Sequence, residues 1–122
     1  MAAMALGLLV ATPSFAHHGT AGYDPAKTVV LTGTATEFVW ANPHVIVYLD
    51  VKDEDGKVRN WSLELAAPLL MGRFGWKKDS IKPGDQVVAE AHPAKNGAAV
   101  GISATATFLL KFVVNGTPLP QH

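Results

Sequence analysis

The fold of this protein is decided by residues 36–51, whose sequence is Thr-Glu-Phe-Val-Trp-Ala-Asn-Pro-His-Val-Ile-Val-Tyr-Leu-Asp-Val. Two apolar runs meet there at an Asn-Pro-His corner. Pro43 has a fixed φ and no donor N–H, and it restricts Asn42 to extended geometry, so the pattern predicts a defined bend between two strands. The run 45–51 is rich in β-branched residues and is typical of a largely buried strand. Such a strand would hold His44, at its start, in a fixed orientation.

The hairpin that follows can be placed in register from its apolar residues. A three-residue loop at 54–56, with its glycine at positive φ, pairs Asp53 with Lys57 and puts the apolar residues of both strands on one side. The opposite side then carries His44, Ile46, Tyr48, Asp50, Asn60, Ser62 and Glu64. In this register His44 lies diagonal to Glu64, within side-chain reach.

The order of elements along the chain predicts a small all-β barrel. Strands are expected at 28–39, 44–51, 57–65, 86–92, 98–108 and 110–114, with one short helix within 66–76. Gly33 predicts a bulge or strong bend in the first strand. This order is typical of a five- to six-stranded, mainly antiparallel Greek-key barrel of the oligonucleotide/oligosaccharide-binding (OB) type. A generic antiparallel barrel or a sandwich is the alternative. An N-terminal arm at 17–27, a barrel domain at 28–115 and a flexible tail at 116–122 complete the predicted organisation.

The first sixteen residues have the pattern of a signal peptide. Residues 1–10 are small and apolar, and Ser14-Phe15-Ala16 is a small–x–small sequence, which predicts cleavage after Ala16. The apolar run is too short to span a bilayer. No Lys or Arg precedes it, and a buried N-terminal helix is the alternative. We therefore expect a periplasmic or secreted mature protein without a transmembrane span, beginning at His17.

Composition excludes several classes of function. The 122 residues suit one small domain, and ten basic residues balance ten acidic ones. Nucleic acid is not an expected partner, because no basic excess exists to release counterions. The chain has no cysteine, which excludes disulfides and thiolate metal sites. An enzyme is the least supported class, since no phosphate loop, serine elbow or nucleophile–base pair is evident.

The five histidines suggest a metal site. Imidazole and amine nitrogens suit Cu(II), Ni(II) and Zn(II), with copper the tightest. The hypothesis is a copper-type site built from the freed amino terminus. Its ligands would be His17 and His44, with His18 or His92 as a further ligand. Glu64, Asp50 or Asp24 would supply an oxygen ligand or orient an imidazole.

Other interpretations of these residues stand beside the metal hypothesis. His44 and His92 can be strand-end residues that bond to backbone, and no His-x-x-x-His spacing supports a metal site independently. A metal-independent module of the cell envelope is the second hypothesis. It would present Tyr48, Asn60 and Glu64 to a small ligand or an envelope protein. Trp61 would line an apolar ligand pocket or, alternatively, pack in the core.

Several short motifs in the chain resemble one known family. They are His17-His18-Gly19, Tyr23-Asp24, Thr32-Gly33-Thr34, Phe38-x-Trp40-x-Asn42-Pro43-His44, Trp61-x-x-Glu64, Gly75-Trp76 and Lys82-Pro83-Gly84-Asp85. Together they resemble a family of small exported bacterial proteins of unknown function (domain of unknown function 6152). The resemblance covers nearly all of the mature chain and implies export to the periplasm and a small β-barrel. It implies no established activity. His44, Trp61 and Glu64 lie on its recurring motif.

Overall fold

The computed structural model describes residues 20–121. The predicted signal peptide, His17, His18 and His122 lie outside this range. The described elements are a 3₁₀ turn Thr20–Gly22, the strands β1 (Val29–Val39), β2 (Ile46–Lys52) and β3 (Val58–Glu64), the helix α1 (Pro68–Arg73), and the strands β4 (Gln86–Pro93), β5 (Val100–Ile102), β6 (Phe112–Val114) and β7 (Thr117–Pro118).

Five of the strands close into a barrel. They follow the order β1-β2-β3-β5-β4, and β4 pairs back onto β1. β3 and β5 are parallel, and the other pairs of the ring are antiparallel. β6 and β7 extend the sheet from β4. The predicted small all-β barrel of OB type, with one short helix between its third and fourth strands, is confirmed. No helix within residues 20–121 is long and apolar enough to cross a membrane.

The hairpin between β2 and β3 has the predicted register. Ile46 pairs with Glu64, and the N–H of Asp53 donates to the carbonyl oxygen of Lys57 at 2.7 Å. Gly56 has a φ of +83°, as the three-residue loop requires. The apolar residues of the two strands are buried on the inner face: Val45, Val47, Leu49, Val51, Trp61, Leu63 and Leu65. The period-two pattern therefore decides which face of the hairpin meets the core.

β1 is the strand that serves both sides of the barrel. Gly33 pairs with Val51 of β2 and with Val87 of β4. A Cβ at Gly33 would clash with the carbonyl oxygen of Asp50, so glycine is required here by close approach of the backbones. The irregularity predicted at Gly33 occurs instead between Ala35 and Glu37. There the N–H of Ala35 donates to the carbonyl oxygen of Asp85, and the N–H of Gly84 donates to the carbonyl oxygen of Ala35.

The helix α1 closes one end of the core. It ends in a Schellman motif, since the N–H of Trp76 donates to Met71 and that of Gly75 donates to Gly72, with Gly75 at a φ of +97°. Met71 and Trp76 are buried. Leu69, in contrast, is 72% exposed. It lies two residues, or about 200°, from Met71 around the helix, and so on the opposite face.

The C-terminal third differs most from the prediction. β5 has three residues rather than the predicted 98–108, because the chain leaves the sheet after Ser103, whose buried hydroxyl donates to the carbonyl of Glu90 at 2.7 Å. Residues 117–120 contact the rest of the barrel. β7 pairs with β6, and the indole N–H of Trp76 donates to the carbonyl of Pro120 at 2.8 Å.

Candidate functional site

His44 is held by backbone pairing that continues past the ends of β2 and β3. It follows a cis Asn42–Pro43 peptide bond. The N–H of Val45 donates to Ala66 at 3.0 Å, and the N–H of Leu65 donates to Val45 at 2.8 Å. Val45 is fully buried, so alternation along the strand directs the His44 side chain to the outer face of the barrel.

The His44 imidazole contacts the carboxylate of Glu64. Its Nδ1 bonds to Oε1, and the two side chains are 28% and 25% exposed. The hydroxyl of Tyr23 donates to the other oxygen, Oε2, at 3.0 Å. A carboxylate only accepts, so Nδ1 is the donor in the contact with His44. We call this hydrogen-bonded series of side chains, Tyr23–Glu64–His44, the relay. The diagonal placement of His44 and Glu64 predicted from the sequence is confirmed.

Tyr23 keeps its proton in this setting. Burial, then the negative charge of Glu64 and the hydrogen bond to it, raise the pKa of Tyr23 from 10.0 to about 12. Each of these effects disfavours the phenolate. Tyr23 is therefore a hydrogen-bond donor to Glu64 over the whole neutral range.

A cleft of about 300 Å³ opens beside His44. Its walls are largely apolar, and they consist of Thr20, His44, Leu65, Ala66, Ala67, Leu70, Ile102, Ala104, Thr105 and Ala106. Thr20 is the first residue that the structure describes. Thr20 also lines the smaller pocket that holds His92.

His92 lies in a separate, smaller pocket of about 170 Å³. Its Nδ1 donates to the carbonyl of Lys27 at 2.7 Å, and its ring meets Phe108 edge-on at 5.3 Å between centroids. Ile102 pairs with Glu64 on one side and with His92 on the other. Two strand spacings, about 10 Å, therefore separate Glu64 from His92.

His44 and His92 thus line two neighbouring pockets, which share Thr20 and Ile102. Within residues 20–121, no group of three or more His, Cys, Asp or Glu side chains is placed to hold a metal ion. A metal site at His44 would need ligands from outside the described range.

The other predicted site residues are dispersed. The amide of Asn60 donates to Thr36 at 3.1 Å and to Asp50 at 3.0 Å, four residues and about 13 Å along β3 from Glu64. Tyr48 lies on the same outer face, paired with Ser62. Asp24 is used within the arm, where its carboxylate accepts from the N–H of Ala26 at 3.0 Å.

Trp61 belongs to the core and not to a ligand site. It is 9% exposed on the inner face of β3, and its indole N–H is buried without a hydrogen-bond partner among residues 20–121. Of the two interpretations of this tryptophan, packing in the core is the one that the structure supports. The functional residue that sequence reasoning missed is Tyr23, which is 41 residues from Glu64 in the chain.

The comparisons with known proteins identify the family of this chain. A family model matches residues 6–104, a range that contains all three residues of the relay. The chain belongs to the family of unknown function DUF6152. No curated protein and no solved structure significantly matches this DUF6152 protein. The match therefore establishes membership of the family and leaves the activity to be argued from the site.

Proposed function

We propose that the mature protein binds a divalent transition metal, with Cu(II) favoured, and acts in the periplasm as a carrier, sensor or accessory factor. The contact between His44 and Glu64 carries this proposal. An imidazole that donates Nδ1–H to a carboxylate has its tautomer and ring orientation fixed, and metal-binding histidines in proteins usually have such a partner. In this arrangement the metal would take Nε2 of His44, and Glu64 would orient the ring.

The remaining ligands would come from the start of the mature chain. Cleavage after Ala16 would make His17 the first residue, with an α-amino group and an imidazole that can chelate one ion. Thr20 lines the cleft that holds His44 and also the pocket that holds His92. His18 is two residues from Thr20 and would serve as a further ligand.

Copper is favoured by the chemistry of these ligands. The proposed set consists of an amine and imidazoles, with no thiolate, and such nitrogen donors bind Cu(II) more tightly than Ni(II) or Zn(II). His92 is left out of the set, because β5 lies between it and Glu64.

A titration with matched histidine variants tests the proposal. Cu(II) affinity would be measured on the mature protein, residues 17–122, beside His44→Ala and His92→Ala. We expect His44→Ala to weaken binding by more than about tenfold and His92→Ala to leave it unchanged. The free dipeptide His-His provides the reference. Binding no tighter than to that peptide, or unchanged affinity in His44→Ala, would overturn the proposal.

The cleft beside His44 favours a second function. Its apolar walls and volume of about 300 Å³ suit a small, mostly apolar ligand without any metal. The protein would then be a ligand- or partner-binding module of the cell envelope. Ligand binding that persists in excess chelator, and in His44→Ala, would support this function over the first.

A further inference from the structure

The pocket beside His92 is formed where three separate segments of the chain meet. Its volume is about 170 Å³, and its walls are largely apolar. They come from the arm, from the end of β4, and from β5 with the loop that follows it, and they consist of Thr20, Tyr23, Pro25, His92, Ile102 and Phe108. Three of these side chains, those of Tyr23, His92 and Phe108, are aromatic rings. The pocket is distinct from the cleft beside His44, although Thr20 and Ile102 line both.

Backbone hydrogen bonds hold the arm side of this pocket in place. The N–H of Asp24 donates to the carbonyl oxygen of Pro93 at 2.9 Å, and the N–H of Lys95 donates to that of Gly22 at 2.9 Å. The arm is therefore docked on both sides of Tyr23. A pocket whose walls are fixed in this way is formed before a ligand enters, as is usual for small-molecule sites.

His92 supplies a hydrogen-bond acceptor with a defined tautomer. The carbonyl of Lys27 can only accept, so Nδ1, which contacts it at 2.7 Å, is the donor. In the neutral imidazole Nε2 then has the lone pair of an acceptor. Among residues 20–121, Nε2 of His92 receives no hydrogen bond. The hydroxyl hydrogen of Tyr23 is likewise committed, to Glu64. Both polar side chains therefore offer acceptors to a ligand rather than donors.

We propose that this pocket binds one aromatic ring that carries a single hydrogen-bond donor, with phenol as the simplest example, and that Nε2 of His92 accepts the hydrogen bond. The volume suits one ring, since an apolar cavity of about 150 Å³ in a protein can hold benzene. Aromatic walls favour a planar ring through edge-to-face contacts. A neutral acceptor selects a hydroxyl over a carboxylate, whose oxygens would face the lone pair of Nε2. Such binding is independent of the metal proposed at His44.

Two ligands that differ by one donor test the site. Binding of phenol and of toluene, which has a methyl group in place of the hydroxyl, would be titrated by NMR on the mature protein at pH 8, where phenol keeps its proton. The same pair would be titrated on two variants. His92→Asn keeps an N–H group near the position of Nδ1, and so a donor to Lys27, but has no Nε2. His92→Phe keeps a planar ring and loses both nitrogens.

The measured quantity is the ratio of phenol affinity to toluene affinity, in which changes of pocket volume or arm docking largely cancel. We expect this ratio to fall by about three- to tenfold in both His92 variants. Ala106→Leu is the control, because Ala106 is exposed and lines the cleft beside His44 but not this pocket. It should bind phenol as the parent does. Slow amide exchange at Lys95 would show that the arm remains docked in each variant.

Three results would overturn the inference. The first is no saturable binding of phenol by the parent up to about 10 mM. The second is an unchanged affinity ratio in either His92 variant. The third is weaker phenol binding in Ala106→Leu, which would place the ring in the cleft beside His44. None of these results bears on the Cu(II) titration, so failure of the aromatic site and failure of the metal site are distinguishable.

Discussion

Two histidines on the outer face of the barrel, His44 and His92, differ in the group that accepts the hydrogen bond from Nδ1. Both rings are partly buried at strand ends, and both donate through Nδ1. The acceptor of His44 is a carboxylate, and the acceptor of His92 is the backbone carbonyl of Lys27.

The surroundings of the two imidazole rings also differ. His44 borders the larger cleft, whereas His92 packs edge-on against Phe108 and holds the arm through Lys27. The two histidines therefore differ both in the acceptor of the Nδ1 hydrogen bond and in the pocket that the ring lines. Three further predictions test whether these differences affect metal binding.

The largest effect is expected when the charge behind His44 is removed. Glu64→Gln keeps the shape of the side chain and loses the carboxylate, so Cu(II) affinity should fall by about 10- to 100-fold. Titration of the mature protein would measure it. Glu90→Gln is the matched control, since Glu90 also accepts a hydrogen bond, from the N–H of Lys111 at 3.1 Å, and lies outside the relay. Equal affinity in Glu64→Gln and the parent would mean that the acceptor's charge does not distinguish the two histidines.

A smaller effect, on stability, is expected in the pocket that holds His92. Phe108→Ala removes the edge-on contact between the rings of Phe108 and His92, whose two centroids lie 5.3 Å apart. It should lower the free energy of unfolding by about 1–2 kcal/mol. Cu(II) affinity should not change. Urea unfolding and the metal titration would be run on the same preparation. A loss of affinity as large as that of His44→Ala would show that the two pockets form one site.

The smallest effect is a change of stability at high pH. Because the pKa of Tyr23 is raised from 10.0 in the unfolded chain to about 12 in the fold, its contribution is fully present below pH 10 and is lost as the pH rises from 10 to 12. Urea midpoints of the parent and Tyr23→Phe at pH 9, 10, 11 and 12 would measure it. The parent should lose more stability than Tyr23→Phe, because every other titrating group is present in both proteins. Parallel curves would contradict the raised pKa.

Local pattern was sufficient to predict the central part of the site. The register of β2 and β3 follows from alternating apolar residues and a three-residue turn, and that register alone places His44 beside Glu64. Both residues lie within one hairpin, so no long-range information is needed. The barrel follows in the same way from the order of its strands.

Sequence reasoning failed where the contacts depend on how distant segments cross. Tyr23 meets Glu64 only because the arm lies along β4 and the short β5 leaves room to reach β3. Nothing in residues 20–27 shows this path. The extent of β5 failed for a related reason. The run 98–108 has strand propensity, but the buried Ser103 hydroxyl and the loop bonded to Leu110 turn the chain away from the sheet.

Closure of the barrel has a consequence for self-association. Each of the five strands in the ring has a neighbour on both sides over part of its length. The outermost strand described, β7, has two residues, and one of them is Pro118, which lacks an N–H. Among residues 20–121 the stretches open to strand addition are therefore short, as at residues 58–60 of β3, which pair with β2 alone.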